Sequence, residues 1–147
     1  MRNIFNAYLV ELILVLLLSA CSDPNPAFQQ AKKSVWGSLE NGCDYDRVSF
    51  DDQYVTRYGS DEVKEVLVKM GIPPVQGNES KTKIIGVHSD GDDSFIFNNE
   101  KGWSSKFMID PSGDVLREVE RGKLGYRKEV EPGSKLLSGE YKICGGK

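Results

Sequence analysis

The sequence predicts a mainly β domain, a small antiparallel β-barrel or curled sandwich with one inserted amphipathic helix at about residues 61–70. Two observations lead to this fold class. Short segments of alternating apolar and polar residues recur along the chain, with turn-forming residues between them. One segment departs from that alternation and carries its apolar residues at helical spacing. The chain of 147 residues is long enough for one such domain.

The alternating segments predict about eight short strands. Asp51 and Asp52 separate two of them as a hairpin turn, and the pair Asp90-Gly91 and the run 110–114 mark two further turns. Aspartate, glycine and proline favour these positions because they suit the backbone angles of tight turns. The predicted alternating segments are 47–50, 53–58, 82–88, 94–97, 105–109, 115–119, 124–130 and 139–144, and an extended strand at 34–39 precedes them.

The inserted helix is predicted from its ends and from its apolar stripe. Ser60 is a good N-cap, Gly71 suits the exit, and two prolines that follow stop the helix. The apolar residues lie on one face, which should cover one mouth or one open seam of the sheet. They are Val63, Val66, Leu67 and Met70.

The N-terminal segment has the layout of an export signal. One arginine is followed by a short apolar run, too short for a membrane span, and then by small residues. The tetrapeptide Leu18-Ser19-Ala20-Cys21 resembles the lipobox of bacterial lipoproteins. The resemblance implies that residues 1–20 are removed and that Cys21 carries covalent acyl chains, palmitate among them, which anchor the chain to a membrane. An ordinary secreted protein with a coincidental cysteine is the alternative.

The lipobox resemblance also sets the expected organisation of the chain. It implies a signal peptide at 1–20, a lipid anchor and tether at 21–33, and a single β-rich globular domain at 34–147. In Gram-negative lipoproteins an aspartate directly after the lipidated cysteine favours the inner membrane. Ser22 stands at that position, so the expected location is the outer membrane, facing the periplasm. Within the tether, residues 27–33 are expected to form a helical turn or two.

The two remaining cysteines, Cys43 and Cys144, predict a disulfide bond because an exported protein meets an oxidising compartment. The bond would place the Trp36 segment beside the last strand. Two free thiols or a redox pair are the alternative. The Trp-containing first strand and the ending Tyr141-Lys142-Ile143-Cys144 are broadly similar to small exported barrel-like lipoproteins. Pilotin-type lipoproteins of secretion systems share that architecture, and both likenesses are analogies of shape.

The sequence contains no catalytic or metal motif above background. His88 is the single histidine, and beside Ser89 and Asp90 it is best explained as a solvated residue flanking a turn. The acidic run 90–93 lacks the spacing of a calcium-binding loop. Acidic and basic residues are interspersed at a net charge of −3, which argues against nucleic-acid binding. The sequence thus predicts a protein that is not an enzyme and needs neither a metal nor a cofactor, apart from the lipid on Cys21.

The leading functional hypothesis is a non-enzymatic binding or assembly module for another envelope protein. It has two versions, a pilotin-like adaptor and an inhibitor of an exported hydrolase. The expected contacts are the apolar helix face and Trp103, which is predicted to lie in a loop, where an exposed indole would be a candidate anchor for a partner. In the inhibitor version, the loop 98–104 would be the segment that plugs the enzyme. The alternative is a carrier of a small hydrophobic ligand or lipid in a barrel cavity. Aromatic residues such as Phe95 and Phe97 either fill the core or line that cavity.

Overall fold

Antiparallel strands form most of the structure, a computed structural model that describes residues 25–130 and 139–146. Within these residues there are two helices and ten strands. One helix precedes the first three strands along the chain and the other follows them. In chain order they are α1 (Pro26–Ala31), β1 (Ser34–Ser38), β2 (Gly42–Phe50), β3 (Tyr54–Gly59), α2 (Asp61–Lys69), β4 (Pro74–Gln76), β5 (Glu79–Ser89), β6 (Ser94–Asn99), β7 (Trp103–Ile109), β8 (Val115–Lys123), β9 (Tyr126–Glu129) and β10 (Glu140–Gly146).

Eight of the strands close into a barrel. Their order is β1, β2, β3, β5, β6, β7, β8 and β10, and the pairing of β10 with both β8 and β1 completes the circle. The two further strands are attached to its wall, β4 on β5 and β9 on β8. The predicted fold class is confirmed in its barrel form, and closure leaves the eight barrel strands with few free edges.

The predicted strands fall on observed ones, with differences at their ends. The second strand starts at Gly42, five residues before its predicted start at 47, because Gly42 already pairs with Ser38 of β1. The short strand β4 was not predicted, since it begins with Pro74 and is too short to show an alternation. The predicted strand at 124–130 is shorter, because Leu124 and Gly125 form the turn of a hairpin.

Side chains that alternate inward fill the barrel with an aromatic core. Phe50, Phe95, Phe97 and Phe107 are buried, and their rings meet edge-on or stacked at centroid distances of 5.4 to 6.0 Å. Such contacts are typical of densely packed aromatic clusters. The interpretation of Phe95 and Phe97 as core residues, rather than as the lining of a cavity, is therefore correct.

Helix α1 closes one mouth of the barrel. Phe28 packs edge-on against Phe50 and Phe95, at ring-centroid distances of 6.1 and 5.3 Å. The helix is fixed at its start by Asn25, whose side chain accepts a hydrogen bond from the Phe28 amide and donates one to the Ser94 carbonyl. The packed domain therefore reaches back to residue 25, nine residues before the expected boundary at 34, because α1 contributes Phe28 to the core.

The disulfide between Cys43 and Cys144 joins β2 to β10 across the strand that lies between them, β1. The predicted bond is present, and the Trp36 segment lies beside the last strand as expected, with Trp36 opposite Ile143. The sulfur atoms cover Gly37, where a Cβ atom would lie only 2.2 Å from one sulfur and 2.6 Å from the other. Glycine at this position is what allows the bond to pass over β1.

Candidate functional site

Helix α2 closes the second mouth, and its apolar face points inward. Ser60 accepts a hydrogen bond from the Val63 amide, so it is the N-cap that the sequence predicts. Val63 and Leu67 are fully buried together with Ile72, and Val66 and Met70 pack against them half-buried. The expectation that the stripe covers one mouth is confirmed. Val63 and Leu67, proposed as part of a docking face, are already occupied by the protein's own core.

Trp103 does not lie in a loop, and that prediction is wrong. It is the first residue of β7, is half-buried, and donates a hydrogen bond from Nε1 to the carbonyl of Met70 at 2.9 Å. The segment 98–104 is the end of β6, a short turn and the start of β7. Asn99 holds this turn by accepting hydrogen bonds from the amides of Lys101 and Trp103. The indole therefore fastens α2 to the barrel rather than projecting toward a partner.

Beneath α2 lies a layer of charged side chains, joined by one tyrosine, that the sequence analysis does not predict. Arg57 donates to the Glu118 carboxylate at 3.0 Å and to the Tyr141 hydroxyl at 3.1 Å. Tyr141 in turn donates to Asp46 at 3.1 Å, and Arg121 binds Glu118 through two nitrogens. The five residues come from four strands, β2, β3, β8 and β10. The layer separates the aromatic core from the cluster under α2.

The environment fixes the protonation states of this layer. Burial alone would raise the pKa of Glu118, but Arg121 and Arg57 outweigh burial and lower it to about 2. Burial raises the pKa of Asp46 above its ordinary value in spite of the opposing charge of Arg57. Burial also raises the pKa of the Tyr141 phenol. The phenol therefore keeps its proton and donates a hydrogen bond to Asp46. The buried layer is a hydrogen-bonded support that ties four strands together.

The space between this layer and α2 is small. It has a volume of about 30 Å³, with Arg57, Thr82, Phe97 and Trp103 among its walls. That is room for about one water molecule, whereas a small-molecule site usually measures roughly 300 to 1,000 Å³. The space under α2 is therefore much smaller than the cavity that the alternative hypothesis of a ligand carrier requires.

His88 and the acidic run 90–93 contact residues outside the buried charged layer. His88 is exposed near the end of β5, where its carbonyl accepts a hydrogen bond from Asn25 beside α1. Asp90 pairs with Lys106 at 2.6 Å, and the hydrogen bond from that ammonium lowers the pKa of Asp90. In residues 25–130 and 139–146 no cluster of three or more histidine, cysteine or acidic side chains is arranged to hold a metal ion.

Among residues 25–130 and 139–146, the most exposed aromatic side chain belongs to the β8–β9 hairpin and not to the predicted sites. Leu124 is 57 % exposed and Tyr126 is 69 % exposed. The turn between them needs Gly125, whose φ is +82°, a conformation that other residues rarely adopt. The amide of Leu124 donates to the Gly102 carbonyl, so the hairpin tip lies beside the β6–β7 turn at the α2 end of the barrel.

The hairpin is basic although the chain as a whole is acidic. Residues 120–129 contain two acidic and four basic side chains, a net charge of +2, against −3 for the whole chain. Arg127 is turned inward, where it binds Glu120 at 2.8 Å and Ser104 at 3.2 Å. Lys123 and Lys128 are exposed on either side of Tyr126. We call Lys123, Leu124, Tyr126 and Lys128 the hairpin patch.

Comparisons of the chain with protein-family models, with curated protein sequences and with solved structures found no match. None of the helices in the described part of the chain is long and apolar enough to cross a membrane.

Proposed function

We propose that the protein is a lipid-anchored envelope lipoprotein that binds another envelope protein without catalysing a reaction. The anchor is Cys21 of the lipobox-like tetrapeptide, which lies outside the described residues. The disulfide between Cys43 and Cys144 supports an exported location, because such bonds persist in oxidising compartments. A small domain with both barrel mouths closed and a filled interior has its outer surface available for contact.

The observation that carries the binding proposal is the hairpin patch. Leu124 and Tyr126 present apolar area to solvent, and Lys123 and Lys128 flank them with positive charge. Aromatic residues within a charged rim are typical of protein contact sites, where the ring supplies most of the free energy and the charges orient the partner. The partner surface that fits this patch is apolar at its centre and acidic around it.

Of the two versions of the hypothesis, the adaptor agrees better with the surface. An inhibitor was expected to insert the 98–104 segment into an enzyme, but that segment is a tight turn whose Trp103 is fastened to α2. The contact surface proposed here belongs instead to the β8–β9 hairpin. The mouth closed by α1 is the other end of the barrel, since Gly113, which precedes β8, lies beside Gln30 of α1. Helix α1 is also the described element that follows Cys21 in the sequence.

The anchor is tested by changing Cys21 to serine in the full chain expressed in a bacterial envelope. We expect the wild-type protein to sediment with membranes and its N-terminal peptide to carry acyl chains by mass spectrometry. Cys21→Ser should move to the soluble fraction. Equal membrane association of both proteins would contradict the anchor.

The contact is tested by photo-crosslinking in the native host, with the photoreactive residue placed at position 126. Ile85 is the matched control, because it is 59 % exposed on a different strand, β5. We expect an envelope-protein adduct from position 126 that is absent from position 85 and is lost when Lys123 and Lys128 are both changed to glutamate. The same adducts at both positions, or insensitivity to the charge reversal, would contradict the proposal.

A further inference from the structure

The strand β9 has an unpaired edge within the described residues. It pairs with β8 on one side, and β10 begins further along, at Glu140 opposite Arg117. The strand β8 thus exchanges partners, with β10 beside its first half and β9 beside its second. This arrangement leaves the outer side of β9 without a neighbouring strand in this part of the barrel wall.

The hydrogen bonds identify which backbone groups point outward. The amide of Val130 donates to the carbonyl of Val119 at 3.0 Å, so residue 130 faces β8. Along an antiparallel strand, the backbone N–H and C=O groups of successive residues point alternately toward and away from the neighbouring strand. The backbone groups of Tyr126 and Lys128 therefore also point toward β8, opposite Lys123 and Arg121. The backbone N–H and C=O groups of Arg127 and Glu129 therefore point away from β8. Among the described residues, nothing pairs with these two donors and two acceptors, which an added strand could use.

The side chains add a charge preference to this edge. Tyr126 and Lys128 lie on the same face of β9, with the lysine Nζ 5.8 Å from the ring centroid. An added strand would place its side chains opposite these two, where carboxylates and apolar groups pair favourably. By contrast, β4 begins with Pro74, which has no amide to donate, and it packs against α2. Among the two extra strands, β9 is the one suited to strand addition.

We propose that an extended acidic segment of the partner protein adds to β9 as a further strand, pairing its main chain with Arg127 and Glu129 and a carboxylate with Lys128. This inference rests on the proposed function and specifies how the partner is held. Strand addition derives affinity from main-chain hydrogen bonds and specificity from alternate side chains. A protein segment is favoured over an anionic lipid surface because the hairpin lies at the barrel end opposite α1, whereas Cys21 precedes the start of α1 by only five residues in the sequence.

The edge is tested by amide hydrogen exchange of the full chain in detergent micelles, followed by NMR. The probe is a synthetic peptide that alternates glutamate and valine, and the control peptide has lysine in place of glutamate. In the free protein we expect fast exchange at Arg127 and Glu129 and slow exchange at Lys128. The acidic peptide should slow Arg127 and Glu129 by about tenfold or more, since bonded amides exchange through opening. The lysine peptide should have no effect.

Three outcomes would overturn the proposal. Slow exchange of Arg127 and Glu129 in the free protein would mean that the chain covers its own edge. Equal protection by both peptides would remove the charge preference. Protection by vesicles of phosphatidylglycerol, but not by the acidic peptide, would identify an anionic lipid surface as the occupant.

Substitutions separate the edge from the hairpin patch. Glu129→Pro removes one outward amide without removing a hydrogen bond to β8, and proline is tolerated on an edge strand. We expect it to weaken binding of the acidic peptide about fivefold, the effect of one lost hydrogen bond. Glu129→Gln is the matched control, because it changes the same side chain and keeps the backbone amide, and it should not lose affinity. Unchanged affinity in Glu129→Pro would overturn strand addition.

The two proposals fail in different ways. Crosslinks at position 126 without any change in exchange at Arg127 and Glu129 would keep the hairpin contact and eliminate strand addition. Protection by the peptide without any specific crosslink in the native envelope would keep the edge and eliminate the proposed partner contact.

Discussion

Replacement of Glu118 by glutamine tests whether the buried charged layer holds the barrel together. Glutamine keeps the size and shape of the side chain, so no cavity forms. The negative charge between Arg57 and Arg121 is lost, and both guanidinium groups stay in a site where Glu118 itself is only 2 % exposed. Removing one partner of a buried ion pair typically costs about 3 to 5 kcal/mol, because the remaining charge is left without compensation.

The pKa of Glu118 gives a second route to the magnitude. Its ordinary value is 4.5 and its value in the folded protein is about 2, which corresponds to about 3 kcal/mol of stability at neutral pH by proton linkage. A carboxyl group whose pKa is lowered on folding stabilises the folded state above its unfolded pKa. That contribution is lost as the pH falls from 4.5 toward 2. Both routes predict that Glu118→Gln lowers the free energy of unfolding by about 3 kcal/mol at pH 7.

The assay is urea denaturation of the wild type and of Glu118→Gln, with the disulfide intact, at a series of pH values. We expect the difference between the two proteins to be largest at neutral pH and to fall below half of that value by about pH 3. Glu120→Gln is the control, since Glu120 is on the same strand but its pair with Arg127 is partly exposed. It should cost less than about 1 kcal/mol. A difference for Glu118→Gln that is equally small, or that does not change with pH, would refute the structural role of the layer.

Three further substitutions test other parts of the structure. Gly37→Ala places a Cβ atom within 2.6 Å of both disulfide sulfurs, so we expect free thiols at Cys43 and Cys144 by thiol titration and a loss of about 4 kcal/mol of stability; a normal disulfide content would contradict the geometry. Trp103→Phe removes the hydrogen bond to α2 and should speed hydrogen exchange of the α2 amides, at a cost of about 1 kcal/mol, and unchanged exchange would show that the bond does not fasten the helix. Asp46→Asn should gain stability relative to wild type as the pH rises above 3.8, because the raised pKa of Asp46 means that its ionisation destabilises the folded state. A loss of stability relative to wild type over that range would contradict the raised pKa.

Local patterns were enough to predict most of the elements. Alternation and turn residues placed the strands, and the hairpin turn at Asp51 and Asp52 lies between β2 and β3 as expected. Ser60 and the spacing of the apolar stripe placed α2 to within one or two residues. These features could be predicted because each depends on the backbone preferences of a few neighbouring residues.

The buried charged layer could not be predicted in the same way, although a signal for it exists. Arg57 follows Val55 in the same phase of β3, and Glu118 follows Leu116 in the same phase of β8, so both charges occupy inward positions. Alternation by itself does not distinguish a charged residue that turns the strand outward from one that is paired inside. Whether such a residue lies inside depends on whether it finds a partner of opposite charge there. The partners Arg57 and Glu118 are 61 residues apart in sequence.

The candidate contact surface depended on the tertiary structure for the same reason. The sequence favoured Trp103 and the α2 stripe, but each of them finds its partner in the other, through the Trp103–Met70 hydrogen bond and the cluster around Leu67. A residue's exposure is set by what packs against it, and that information is not local.

The sequence by itself determined the strand and helix segments, the disulfide pair and the mainly β class of this protein, and left a barrel and a curled sandwich as alternatives. Alternation, capping and cysteine pairing are read from short stretches or from residue counts. The tertiary structure alone decided that α1 fills one mouth, that Arg57 and Glu118 meet inside, and that β8 exchanges β10 for β9. These outcomes depend on contacts between distant strands, whose free energy is set by burial and charge pairing once the barrel has closed.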